Sequence, residues 1–208
     1  MKRKKTSAKR RRLKLKIEPA AAVMLTALLL TDRTGLAVAA LLAAAVHESG
    51  HLCAAKCLHI PVRALRFHLL GAGLEPEGRL LSYGEEFLLC AAGPIASLLF
   101  ALLPAPFWEF SAFAGQLSCA SLVLGLLNLL PIRSFDGGRM LGDAVSARLS
   151  PRASDTVLTA TSLVFLFLLW SVAVYFLLRA GDGLSLWCFS MSLFSRFFGA
   201  LKREDSGE

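Results

Sequence analysis

Long apolar blocks constrain this chain more than any other feature. About 20 consecutive apolar residues in water-excluding surroundings satisfy their own backbone only as a helix, and read as a membrane span. Six such blocks can be drawn, over residues 17–30, 36–58, 87–108, 113–132, 157–178 and 184–201. The first is short, and the sixth is interrupted by Ser190, Ser192, Ser195 and Arg196. Hydrophobic residues make up 55% of the 208 residues and charged ones 18%, against about 45–50% and about 25% in soluble domains. The expected fold class is an all-α polytopic membrane protein with about six transmembrane helices.

Charge sets the expected orientation. Residues 1–16 hold ten Lys or Arg and no acid, and the remaining 13 Lys or Arg stand against 15 Asp or Glu. A basic block directly before an apolar segment is a cytoplasmic flank under the positive-inside rule. Nothing downstream has the pattern of a nucleic-acid fold, so no nucleic acid is expected as a partner. Thr31-Asp32-Arg33 after the first block lacks the small residues of a signal-peptide cleavage site, which keeps that block as a retained anchor. With six spans the cytoplasmic loops are 59–86 and 133–156, and they carry most of the other Arg residues; the external connections hold only Arg33 and Arg179. The expected protein is thus a multi-pass cell-membrane protein with both termini cytoplasmic. Its parts are a basic tail (1–16), a transmembrane domain (17–201, catalytic core 36–140) and a short tail (202–208). The five cysteines, Cys53, Cys57, Cys90, Cys119 and Cys188, are odd in number and lie in apolar segments, which suits small buried hydrophobes rather than a disulfide framework. In the loop after the second block, residues 62–70 and 79–83 lean towards strand around Gly71, Gly73 and Gly78, and a small β-hairpin at the membrane surface is expected.

The second block contains His47-Glu48-Ser49-Gly50-His51. Residues four apart share a helix face, so both imidazoles aim at one point. Two imidazoles suit zinc, and a Glu between them can act on a water there. The plainer alternative is a helix whose His and Glu make polar contacts with neighbouring helices. An ionisable group in mid-membrane costs about 2.5–3.5 kcal/mol even on insertion scales, which weighs against an idle Glu48. A catalytic zinc takes three protein ligands and keeps one open position. His59, His68, Glu109 and Asp136 are the candidates for the third. Asp136 heads Asp136-Gly137-Gly138, which by itself reads as a turn or a helix cap. In the six-span layout, however, the second and fourth blocks both run inward, which brings His47, His51 and Asp136 to the cytoplasmic half.

Three motifs, His47-Glu48-Ser49-Gly50-His51, Ala92-Gly93-Pro94, and Asn128-x-x-Pro131 followed by Asp136-Gly137-Gly138, occur in this order over residues 47–138. In them the chain resembles the site-2 protease family of intramembrane metalloproteases. The short chain and six-span layout look most like its stage IV sporulation protein FB branch, which cleaves a membrane-associated pro-sigma factor. The resemblance implies one Zn2+ per chain held by His47, His51 and Asp136, with Glu48 as general base and acid. It also implies Asn128 as a group that positions substrate or the oxyanion, and Ala92-Gly93-Pro94 in a tightly packed helix. The implied partners are a membrane-associated protein substrate, membrane regulatory proteins and the bilayer. Ser97 stands where the family commonly has Asn, and Ser134-Phe135 where it commonly has Pro-Leu. These departures touch substrate shape and the surroundings of the ligands rather than the ligands themselves. No nucleotide-sensing CBS domain is expected. A catalytically silent scaffold of the same fold and a metal transporter are the rival functions; the fifth block has no ionisable residue beyond Asp155 at its edge, which disfavours a transport relay.

Overall fold

The computed structural model describes residues 14–17, 19–68, 71–76, 80–180 and 184–205. In chain order the elements are β1 (Lys14–Ile17), α1 (Pro19–Thr31), α2 (Leu36–Cys57), β2 (Val62–His68), β3 (Gly71–Pro76), α3 (Tyr83–Ala101), a 3-10 turn (Ala105–Phe107), α4 (Ala112–Asn128), α5 (Asp136–Arg148), α6 (Pro151–Ala180) and α7 (Leu184–Asp205). Residues 1–13, most of the basic tail, lie outside the described residues, as do residues 206–208.

The helices pack in a chain of neighbours. Helix α3 is the hub, touching α2, α4 and α5; α2 also touches α4, and α5 leads on to α6 and α6 to α7. Apart from Ala37 in the first turn, the buried residues on α2 fall at Ala39, Ala43, His47, His51 and Ala55, a stripe of every fourth residue. All but the two histidines are alanines, which lets α3 and α4 approach closely. Gly50 tightens the contact further: a Cβ there would stand 2.5 Å from the Ala92 carbonyl oxygen. The turn into α2 is closed by Asp32, whose carboxylate accepts from the Thr34 and Ala37 amides at 2.9 and 2.7 Å.

The expected six spans reduce, among the described residues, to three helices long and apolar enough to cross a membrane: Leu36–Cys57, Tyr83–Phe107 and Pro151–Arg179. The reason is length and polarity. Helix α1 has 13 residues and α4 has 17, about 20 and 26 Å against a hydrocarbon core of about 30 Å. Helix α7 is long enough but carries Ser190, Ser192, Ser195 and Arg196 and closes on Lys202-Arg203-Glu204-Asp205. The three candidates leave many apolar side chains uncovered, including Ile95 and Leu99 on α3 and Val164, Phe167 and Tyr175 on α6. Bilayer lipid is the environment in which such surfaces are stable.

Beside the helices lies a three-stranded sheet in the order β1-β2-β3. Strands β2 and β3 pair antiparallel, with Leu65 opposite Leu74 and His68 opposite Gly71, and an irregularity between Val62 and Ala64. The second strand is Gly71–Pro76 rather than 79–83. Tyr83 instead opens α3, because Ser82 caps that helix: its hydroxyl accepts from the Glu85 amide at 3.3 Å, and Glu85 answers to the Ser82 amide at 3.1 Å. Strand β1 pairs with β2 in parallel, Lys14 opposite Ala64 and Ile17 opposite Phe67. It straddles the boundary expected between basic tail and first span.

The loop expected at 133–156 is also different. Helix α5 occupies most of it, and Pro151 starts α6. The turn Leu129–Ile132 supports α5 from below, since the Phe135 amide donates to the Ile132 carbonyl at 2.8 Å. Ile132 and Phe135 are buried against Leu166 of α6 and Leu193 and Phe197 of α7. This cluster anchors the start of α5, where Asp136 stands.

Candidate metal centre

His47 and His51 sit one turn apart on α2 with ring centroids 4.8 Å apart and rings nearly perpendicular. Both are buried, at 5% and 7% exposure. Their Nε2 atoms stand 3.2 Å apart, and Asp136 Oδ2 lies 3.1 Å from the first and 3.2 Å from the second. Among the described residues these three make up the group of His, Cys, Asp and Glu side chains placed to hold a metal. His59, in the turn after α2 with φ 55, and Glu109 are not part of it; of His68 the backbone on β2 is described and the side chain is not.

The outer nitrogens decide the chemistry. His51 Nδ1 lies 2.8 Å from the Leu89 carbonyl oxygen, which can only accept, so this nitrogen carries the proton. His47 Nδ1 lies 2.9 Å from the fully buried Ser97 hydroxyl, which can accept from it or donate to it. With Ser97 as the acceptor, each Nε2 lone pair is turned inward towards a carboxylate oxygen. Three electron-rich atoms converging at 3.1–3.2 Å repel unless a cation lies among them. Donors about 2.0–2.1 Å from a common zinc at tetrahedral angles would stand about 3.3–3.4 Å apart. The donor set and spacing fit zinc.

The carboxylate arrives from the other side of the site. Asp136 is the first residue of α5, where the helix dipole favours a negative group. Gly137 and Gly138 are required here: a Cβ at either would collide with the Leu129 or the Ile132 carbonyl oxygen.

A third wall is backbone. A Cβ on Gly93 would run into His51 Nε2 and stand 2.8 Å from His47 Nε2. Pro94 follows it, fully buried inside α3. Sequence reasoning placed Ala92-Gly93-Pro94 in a packed helix but did not see that it touches both ligands. Nor did it find the Ser97 hydroxyl or the Leu89 carbonyl as partners; these contacts join residues 38 and 50 positions apart, a distance at which no local spacing signals them.

Glu48 lies beside the ligands on α2, its Oε2 buried with no hydrogen-bond partner among the described residues. A buried carboxylate oxygen without a partner is costly in a structural role and useful in a chemical one. Asn128, at the end of α4, turns its amide back to the Leu124 carbonyl at 3.0 Å, and no hydrogen bond ties it to the three ligand residues.

Comparison with known proteins bears on both fold and site. Residues 104–171 match peptidase family M50, a stretch that contains Asn128 and Asp136 but not His47, Glu48 or His51. No curated protein matches the sequence. Over 90% of this chain and 89% of the other, the structure superposes on the site-2 protease from Methanocaldococcus jannaschii with a TM-score of 0.61 at 20% identity. The fold is that of a site-2 protease. Within the site-2 protease fold, the buried trio His47, His51 and Asp136 stands between α2, α3 and α5, and Ser97 holds His47 where the sequence departs from the family's usual Asn.

Proposed function

We propose that this chain is an intramembrane zinc metalloprotease of the site-2 type, hydrolysing a peptide bond in or near the membrane segment of a membrane-associated protein. The observation that carries the reading is the convergence of two Nε2 atoms and one carboxylate oxygen beside an unpartnered Glu48 carboxylate, on a helix apolar enough to span a membrane. The family M50 match and the shared fold support it.

His47 Nε2, His51 Nε2 and Asp136 Oδ2 would hold the ion. Zinc held there would supply a Lewis acid that polarises the scissile carbonyl and acidifies the attacking water. Glu48 Oε2 takes the proton from that water and then delivers it to the leaving amine nitrogen. The Leu89 carbonyl keeps the His51 imidazole in the Nδ1–H tautomer throughout, and Ser97 holds the His47 ring in place. Asn128 would need to release the Leu124 carbonyl before its amide could face the substrate oxyanion. The basic flank favours a cytoplasmic N-terminus. The resemblance in its three motifs favours a membrane-anchored regulator or a pro-sigma factor as substrate.

The deciding experiment combines co-expression of such candidate substrates with metal analysis. Wild type is expected to process a substrate and to carry about one zinc per chain, and Glu48→Gln to keep the zinc and lose processing. Equal processing by both proteins would sink the protease reading. Undiminished zinc in His47→Ala or Asp136→Ala would sink the ligand set.

A further inference from the structure

The seam between α3 and α5 continues past the metal centre. Asp136 and Asp143 are seven residues apart, two turns along one face of α5 and about 10 Å from each other. Between them Arg139 Nη2 donates to Glu86 Oε1 of α3 at 2.7 Å. Beyond that ion pair lies a cavity of about 230 Å³ lined by Tyr83, Gly84 and Phe87 of α3 and by Asp143, Ala144, Ala147 and Arg148 of α5. Asp143 is 9% exposed. No hydrogen bond or ion pair reaches it among the described residues, and its Oδ2 is fully shielded. Burial and the nearby Glu86 disfavour the charge on Asp143, and Arg139, held by Glu86, offsets this in part without a hydrogen bond to it, which leaves room for a positively charged partner.

We propose that this cavity is a subsite for a lysine or arginine side chain of the substrate, about three residues from the bond that is cut. The inference rests on the protease reading above. An extended peptide advances about 3.3 Å per residue, so three residues bridge the roughly 10 Å from Asp136 to Asp143. The walls favour a long side chain over a bare ion: the rings of Tyr83 and Phe87 suit its aliphatic stem, and the head reaches the unshielded Oδ1 of Asp143. Arg148 is exposed at the rim and can turn to water. Basic residues flank membrane segments on the cytoplasmic side, so a substrate cut near that boundary brings such a side chain with it.

The test uses the full chain in nanodiscs with Glu48→Gln, which holds peptides uncut. The probes are ten-residue fluorescent peptides, identical but for one Lys, norleucine or Glu walked along the chain. At one position Lys is expected to bind at least about tenfold tighter than norleucine, as a charged hydrogen bond in a shielded site implies. Adding Asp143→Asn, which keeps the side chain's shape, removes the difference, and Asp143→Lys transfers the preference to Glu. Equal binding of Lys and norleucine at every position, or a Lys preference that survives Asp143→Asn, overturns the subsite; if Asp143→Lys does not fold, the Asn comparison decides. Cleavage of the same peptides by wild type reads the parent proposal separately. Cutting without a Lys preference sinks the subsite alone, and a Lys preference in binding without cutting sinks the protease alone.

Discussion

One methyl group at residue 93 would occupy the space of two imidazole nitrogens. Gly93→Ala therefore forces both ligands aside, and we expect the purified protein to retain far less than one zinc per chain while its helix content is unchanged. Stoichiometric zinc in that variant would mean that α3 can retreat. The Ser97 hydroxyl acts at one remove, by fixing His47. Outer partners of metal-bound His typically contribute about 10–100-fold in affinity or activity. Ser97→Ala should weaken zinc by that order in a chelator competition, and Ser97→Asn, which restores an acceptor, should recover most of it. Loss that Asn does not repair would point to packing at this fully buried position instead. Asp143 predicts a pH dependence. Burial, helped by Glu86 and opposed by Arg139, pushes its carboxyl up to about 6 from 3.8. The folded state then binds its proton more readily than the unfolded chain, so this group costs stability above pH 6 and the cost fades as pH falls towards 4. The melting temperature of Asp143→Asn should exceed that of wild type at pH 7.5, with the gap closing by pH 4.5; a gap that does not change with pH contradicts the assignment.

At the scale of elements, α5 matters most to the site and was least visible in the sequence. Glycine lowers helix propensity by about 1 kcal/mol per residue, and Gly137, Gly138 and Gly142 all fall within thirteen residues. The segment read as a loop because it is polar and lies between two apolar blocks, and these glycines gave no sign of a helix. The structure explains them by contact, since the first two lie on carbonyl oxygens of the preceding turn. Gly137→Ala should lift the start of α5 off Leu129 and carry Asp136 with it, abolishing zinc retention although no ligand is changed; normal zinc content would show that the turn yields instead. The ligands were legible because their chemistry is written in local spacing: i,i+4 histidines need only a helix. Asp136 needed the resemblance as well, because its approach to α2 depends on how α3 and α5 pack. The second strand was misplaced for a local reason, since residues 79–83 look extended by composition while Ser82 and Glu85 commit the segment to a helix start. The count of six spans took each apolar block as one helix, but α1 covers only 13 residues and α4 ends at Asn128, short of its block's end.

For the whole molecule, the uncovered apolar faces of α3 and α6 describe a protein solvated by lipid on its flanks and closed only at its centre. The sheet adds a constraint of another kind. Strands β1 and β2 are hydrogen-bonded neighbours, and a sheet cannot be shared across a bilayer. Residues 17 and 62 therefore lie on one side, and the chain between them traverses the membrane an even number of times. A cysteine at Thr34, in a chain freed of its own five, should react with an impermeant maleimide from the side opposite to one at Pro61; reaction from the same side would mean that neither α1 nor α2 crosses. If α2 crosses, parity obliges α1 to make the outward trip despite its thirteen residues. The bilayer would have to thin around it. In that case sidedness is set by backbone hydrogen bonds as well as by hydrophobic length, and a helix too short to qualify as a span on its own is conscripted into one by the strand that precedes it.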